Sequence, residues 1–144
     1  MHLRLKESPR GIDTSVILFF DRSVGTVVPR ILKWHELRLP VDIEYHEEHF
    51  DIALEDDDDW LHIVGNWGCS INGHDRYHEK SETELSAILQ YQIGCLYLWG
   101  AGASRRQKLR CFARAFEGIV DADAKTPKPF VFDVARSGKL ARLL

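Results

Sequence analysis

Ser15-Val16-Ile17-Leu18-Phe19-Phe20-Asp21, SVILFFD, is a short apolar run stopped by a single carboxylate. Its β-branched and aromatic residues lie between Gly11 and Gly25, which predicts a buried strand of a parallel sheet. Asp21 then stands at the strand's carboxyl end. In open α/β sheets ligands bind at that edge, because the loops splay apart there and leave a crevice.

Outward from this strand the chain alternates. Val24, Val27, Val28, Ile31 and Leu32 recur at helical spacing with Ser23 as a candidate N-cap, which predicts a crossover helix ending near Leu37. Val41 to Tyr45 alternates apolar and polar and suits a second strand nearer the sheet edge. The stretch HEEHFDIALEDDDD reads as irregular, running into a short helix from Asp56 to Gly65 with an acidic first turn. Trp67 to Asn72 predicts a third strand, closed by Gly73-His74-Asp75, so that a second carboxylate ends a strand.

Ser81 and Glu84 form a capping box ahead of Leu85, Ile88 and Leu89, and Gly94 is expected to end that helix. Cys95 to Trp99 predicts a fourth strand. Ser104 and Gln107 form a second box before Leu109, Phe112, Phe116, Ile119 and Val120. Phe130 to Val134 predicts a fifth strand, followed by a basic tail over 135–144. The expectation is one three-layer α/β domain over residues 1–144, with an arm at 1–14 and a mostly parallel sheet of about five strands.

Composition narrows the function classes. At 144 residues and 44% apolar, the chain can bury a core without disulfides or metals. The three cysteines, Cys69, Cys95 and Cys111, include no C-x-x-C pair and read as buried thiols. No apolar run approaches the about 20 residues that cross a bilayer, and no signal-like centre occurs near the start, so a cytoplasmic location away from membranes is the default. A net charge of −3 exerts no global pull on nucleic acid, so a local basic patch would have to hold it. Arg105 to Arg114 could supply one.

Asp21 and Asp75 should open onto one sheet edge, where like charges placed close together cost free energy unless a cation sits between them. Within the acidic run Glu55 to Asp59, Asp57 shares the stripe of Trp60 and Leu61 and is the first choice as third ligand, with Asp58 second. Turn chemistry and helix capping are the alternative roles for all of these acids. Converging carboxylates suit Mg²⁺ or Mn²⁺, and the matching reaction class is phosphodiester hydrolysis. Ser104, Arg105 and Arg106 should emerge on the same edge at a helix start and hold phosphate. His46 and His49 fix no metal geometry in a loop and read as surface or core residues, while His74 and His78 flank Asp75 within reach of a substrate. Trp34, Trp60, Trp67 and Trp99 read as core.

The order of these motifs, FFD, then D-D-x-W-L, then W-G-C-S-I-N with H-D-R, then x-E-L and G-C-L-Y-L, resembles the PIN-like domains of VapC-type toxins over roughly Val16 to Trp99. It lies nearest their divergent branch, of the Mut7-C type. The resemblance implies a metal-dependent ribonuclease, the toxin of a bacterial type II toxin–antitoxin pair, with Asp21, Asp57 and Asp75 in the family's acidic positions. Glu84 falls where such domains often carry a further acid. A cognate antitoxin is implied as partner, and PIN domains often pair as homodimers. The divergent branch commonly reads Thr-Arg-Asp at its third acid, whereas Gly73 and His74 precede Asp75 here, and the fourth acid of standard PIN nucleases has no clear match, so the ion count stays open at one or two. The competing reading is a non-catalytic acidic-site module, either PIN-like or receiver-like.

Overall fold

A computed structural model describes residues 16–34, 41–50 and 57–144. In chain order the elements are β1 (Val16–Phe20), α1 (Val27–Trp34), β2 (Val41–Tyr45), α2 (His46–His49), α3 (Asp57–Asn66), β3 (Ser70–Gly73), α4 (Tyr77–Lys80), α5 (Glu82–Gln90), β4 (Gly94–Leu98), α6 (Arg105–Lys125), β5 (Phe130–Val134) and β6 (Leu140–Arg142). They build a six-stranded sheet in the order β2-β1-β3-β4-β5-β6. The first five strands pair in parallel and β6 joins antiparallel to β5.

β1 explains why its sequence is apolar without a break. Val16, Leu18 and Phe20 point into a core with Val28 and Leu32 of α1 and Phe112, Phe116 and Ile119 of α6. Phe19 points the other way, with Trp60, Leu61 and Val64 of α3, Tyr77 of α4 and Ile88 of α5. Phe19 and Phe20 are both completely buried, each contributing about 1.5–3 kcal/mol relative to an exposed ring. Helices therefore cover both faces, and the expected three-layer α/β arrangement is present.

Several boundaries differ from expectation. The first helix starts later than expected, at Val27, because Gly25 adopts a left-handed φ of 82°; its expected end near Leu37 lies outside the described residues. The predicted third strand loses Trp67 to Cys69, since α3 runs on to Asn66 and Gly68, at φ 75°, makes the turn. His46–His49 is a helical turn rather than loop. The helix before β4 ends at Gln90, and Gly94 instead opens that strand, where its α-carbon packs under the Phe130 ring. Part of the basic tail is β6, and the pairing continues as Leu143 N–H donates to Val131 O at 2.8 Å. The expected arm at 1–14 and the Glu55 and Asp56 positions lie outside the described residues.

Two expected N-caps match the sequence signals, whereas Ser23 does not cap α1, which starts at Val27, and gives its hydroxyl to Asp21 instead. Ser104 accepts from the Gln107 N–H and the Gln107 side chain reaches back, while Ser81 accepts from the Glu84 N–H. All three cysteines are free and buried, and burial pushes the Cys69 thiol up to about 12.

A β-carbon at position 94 would lie 2.5 Å from the Phe130 ring, in a core with no room to yield. Gly94→Ala is expected to cost about 1–3 kcal/mol, read as a lower urea midpoint at unchanged slope. A midpoint equal to wild type would show that Phe130 can move aside.

Candidate functional site

The sheet order places the site. β2 and β3 lie on opposite sides of β1, so the crossovers leaving β1 and β3 diverge and open a crevice at the carboxyl ends of these two strands. Asp21 follows β1 and Asp75 lies two residues past the end of β3. The two carboxylates predicted to share an edge therefore do share one, and the charge of Asp75 reaches Asp21.

Asp21 is held from several sides. Its Oδ1 accepts from the Ser23 N–H at 2.9 Å and from the Ser23 hydroxyl, and its Oδ2 accepts from the Tyr77 hydroxyl. The Ser23 Oγ in turn accepts from the His74 N–H at 2.8 Å, which ties the loop after β1 to the loop after β3. The carboxylate also lies flat against Gly73, where a β-carbon would fall 2.1 Å from Oδ2. This explains Gly73 directly: any side chain there would occupy the place of the carboxylate.

Burial is the largest influence on Asp21, and with Asp75 it outweighs the Ser23 and Tyr77 hydrogen bonds to push the carboxyl up to about 6. His74 moves the other way. Burial is again the main cause, and the nearby Lys108 ammonium adds to it, so its pKa falls below the usual imidazole value.

The remaining predicted residues are spread over the same region. Asp57 and Asp58 are the first two residues of α3, one turn before Trp60, whose ring meets Tyr77 edge-on at 5.8 Å; their side chains lie outside the described residues. Glu84 is buried in the first turn of α5. Ser104, Arg105 and Arg106 are exposed where α6 begins after β4, at the carboxyl edge as expected, though the Ser104 hydroxyl is engaged in its cap. Trp60 is core, but Trp99 is 38% exposed beside the site with the Arg136 guanidinium 5.2 Å from its ring centre, which corrects its assignment to the core. It stands one residue beyond β4.

Sequence reasoning passed over one cluster. Glu44, Glu48 and His49 bring ligand-type atoms within 4.8 Å of one another where β2 runs into α2. The Lys33 ammonium already spans the two carboxylates, 3.4 Å from Glu44 and 2.6 Å from Glu48, so it offsets one of their two negative charges. His46, for which the sequence left surface and core open, is core, against Phe50 and Trp60. The signal for the cluster was the H-E-E-H helical turn, too short to show a period.

The raised Asp21 pKa has a definite sign for stability. Between the unfolded value of 3.8 and the folded value of about 6 the native state binds more protons, so stability falls as pH rises through that window. The loss, complete above the folded value, is roughly 3 kcal/mol. Asp21→Asn removes this titration. Urea unfolding at acidic and at mildly alkaline pH, without divalent ions, should show wild type losing roughly 3 kcal/mol relative to the variant; parallel curves would place Asp21 in a wetter setting.

Compared with models of known families, with curated proteins and with solved structures, the chain matches none.

Proposed function

We propose that this chain is a metal-dependent endoribonuclease whose acidic crevice, centred on Asp21 and Asp75, hydrolyses RNA phosphodiester bonds, and that it acts as the toxin of a toxin–antitoxin pair. The observation that carries the reading is the presence of two carboxylates at the divergence point of the sheet, one of them destabilised as an anion chiefly by burial and further by the charge of the other.

The donor set fits Mg²⁺ or Mn²⁺. Asp21 and Asp75 offer hard oxygen ligands, and a carboxylate has about four acceptor sites, of which Ser23 and Tyr77 use three on Asp21. When bound, such an ion lowers the pKa of water and neutralises charge at phosphorus. The chain's own residues do the rest. Ser23 and Tyr77 fix the Asp21 carboxylate, and the His74 N–H fixes Ser23, so the site is organised before substrate arrives. Arg105 and Arg106, exposed on the first turn of α6, would grip the RNA backbone on the same edge, with the partly exposed Trp99 as a stacking surface. A cognate antitoxin would silence the enzyme by setting a basic side chain into the acidic crevice.

A second reading, a non-catalytic acidic-site module, is favoured by one feature: Asp21 is only 1% exposed, which suits holding an ion better than turning over substrate. For the receiver-like version, the Lys128-Pro129 pair that would resemble that family's Lys-Pro cannot serve this edge, because Lys128 precedes β5 and donates to Gly68 O, before β3 begins.

Incubation of a mixed pool of labelled structured and single-stranded RNAs with purified protein decides between these. Cleavage is expected with Mg²⁺ or Mn²⁺, absent in chelator, and reduced at least about 100-fold in Asp75→Asn, whose fold should be intact. Mn²⁺ should also raise the melting temperature of wild type but not of Asp21→Asn. Mn²⁺ stabilisation without cleavage would favour the module; neither effect would remove the metal site.

A further inference from the structure

Beside the carboxylates, on the α1 and α6 face of the sheet, a narrow pocket opens between these helices. Val24, Val28 and Phe112 form its apolar walls, with His74, Trp99 and Lys108 as its polar and aromatic rim. Its floor admits about one water-sized group.

The His74 ring decides what that group can be. Its Nδ1 lies 2.8 Å from Leu98 O. A carbonyl oxygen only accepts, so Nδ1 carries the proton and Nε2 of the neutral ring is left as an acceptor. Nε2 is buried and has no partner among the described residues. A buried acceptor of this kind is costly until a donor reaches it. A bare phosphate or carboxylate oxygen has no proton to give, and an ammonium would meet the Lys108 charge. A hydroxyl satisfies Nε2, as a water would in its place, and an anion next to that hydroxyl would be held by Lys108.

We infer that the His74–Lys108 pocket receives a ribose 2′-hydroxyl, with Lys108 on the adjoining phosphate, and that this is how the site distinguishes RNA from DNA. The inference rests on the ribonuclease reading and deepens it, since the 2′-hydroxyl is the group by which a protein separates the two polymers. The His74 side chain is then a specificity residue. Its backbone N–H, which holds Ser23, performs a separate task that side-chain replacement leaves in place.

The test is fluorescence anisotropy with a short labelled single-stranded oligoribonucleotide, its deoxy counterpart and its 2′-O-methyl counterpart, in chelator so that nothing is cleaved. Wild type should bind the ribo form about tenfold more tightly than either of the others. In His74→Asn, whose amide can still donate to Leu98 O, ribo binding should fall to the deoxy level while deoxy binding is unchanged. Lys108→Met should weaken all three. Equal binding of the three probes by wild type, or a His74→Asn loss shared by all of them, would overturn the inference, as would binding of none. Wild-type binding alone can overturn it if the variant fails to fold. Metal-dependent RNA cleavage measured separately would survive such a result, so failure of the pocket and failure of the ribonuclease reading are told apart.

Discussion

The burial of one carboxylate constrains everything around it. Asp21 follows β1, the second strand of the sheet, and an ion in that position is tolerable only if donors meet it. Ser23 supplies two from its own loop and Tyr77 a third from across the crevice. Gly73 yields the space and Trp60 backs Tyr77. Even with these donors, desolvation wins, and the group stays less acidic than a free carboxyl. The local structure is thus arranged around a charge that it stabilises incompletely, the state in which a cation contributes most.

The two faces of the sheet divide the work. On one side α3 and α4 bring Trp60 and Tyr77 to support Asp21; on the other α1 and α6 enclose the His74 pocket. The loop from Gly73 to Asp75 serves both, with Gly73 under the carboxylate, His74 turned to Leu98 and Asp75 in the crevice. Three consecutive residues therefore connect the acidic crevice on one face with the His74 pocket on the other. That economy depends on the parallel pairing of β1 and β3, which sets their ends side by side.

What was legible in the sequence follows from physical signals. β1 announced itself because burial on both faces forbids polar residues, and β2 and β5 were read to the residue because alternation and flanking prolines bounded them. Asp21 and Asp75 stood out as charges interrupting such runs. Ser23 was read as a helix N-cap rather than as a donor to the carboxylate two residues before it, and Tyr77 left no local pattern, since its hydroxyl meets Asp21 across 56 residues. Gly73 read as a turn residue, although its role is to make room. β6 was hidden because so short an antiparallel edge strand carries no period, and the exposure of Trp99 depends on where the covering helices end. Asp57 kept its place at the helix start, but the reach of its side chain is a tertiary matter that spacing alone does not fix.

The pairing of β1 with β3 also governs how the chain is born. Phe19 and Phe20 leave the ribosome well before Ile71, Asn72 and Gly73 exist to cover that side of the strand. At about 5–20 residues per second, the interval is on the order of several seconds. During it the most apolar segment of the chain has only β2 as a sheet neighbour, with one edge and much of two faces bare. A cell making this protein must therefore shield a nascent hydrophobic strand, and the same delay keeps the two carboxylates apart until Asp75 has been made, so the acidic crevice cannot form on a fragment that stops short of it.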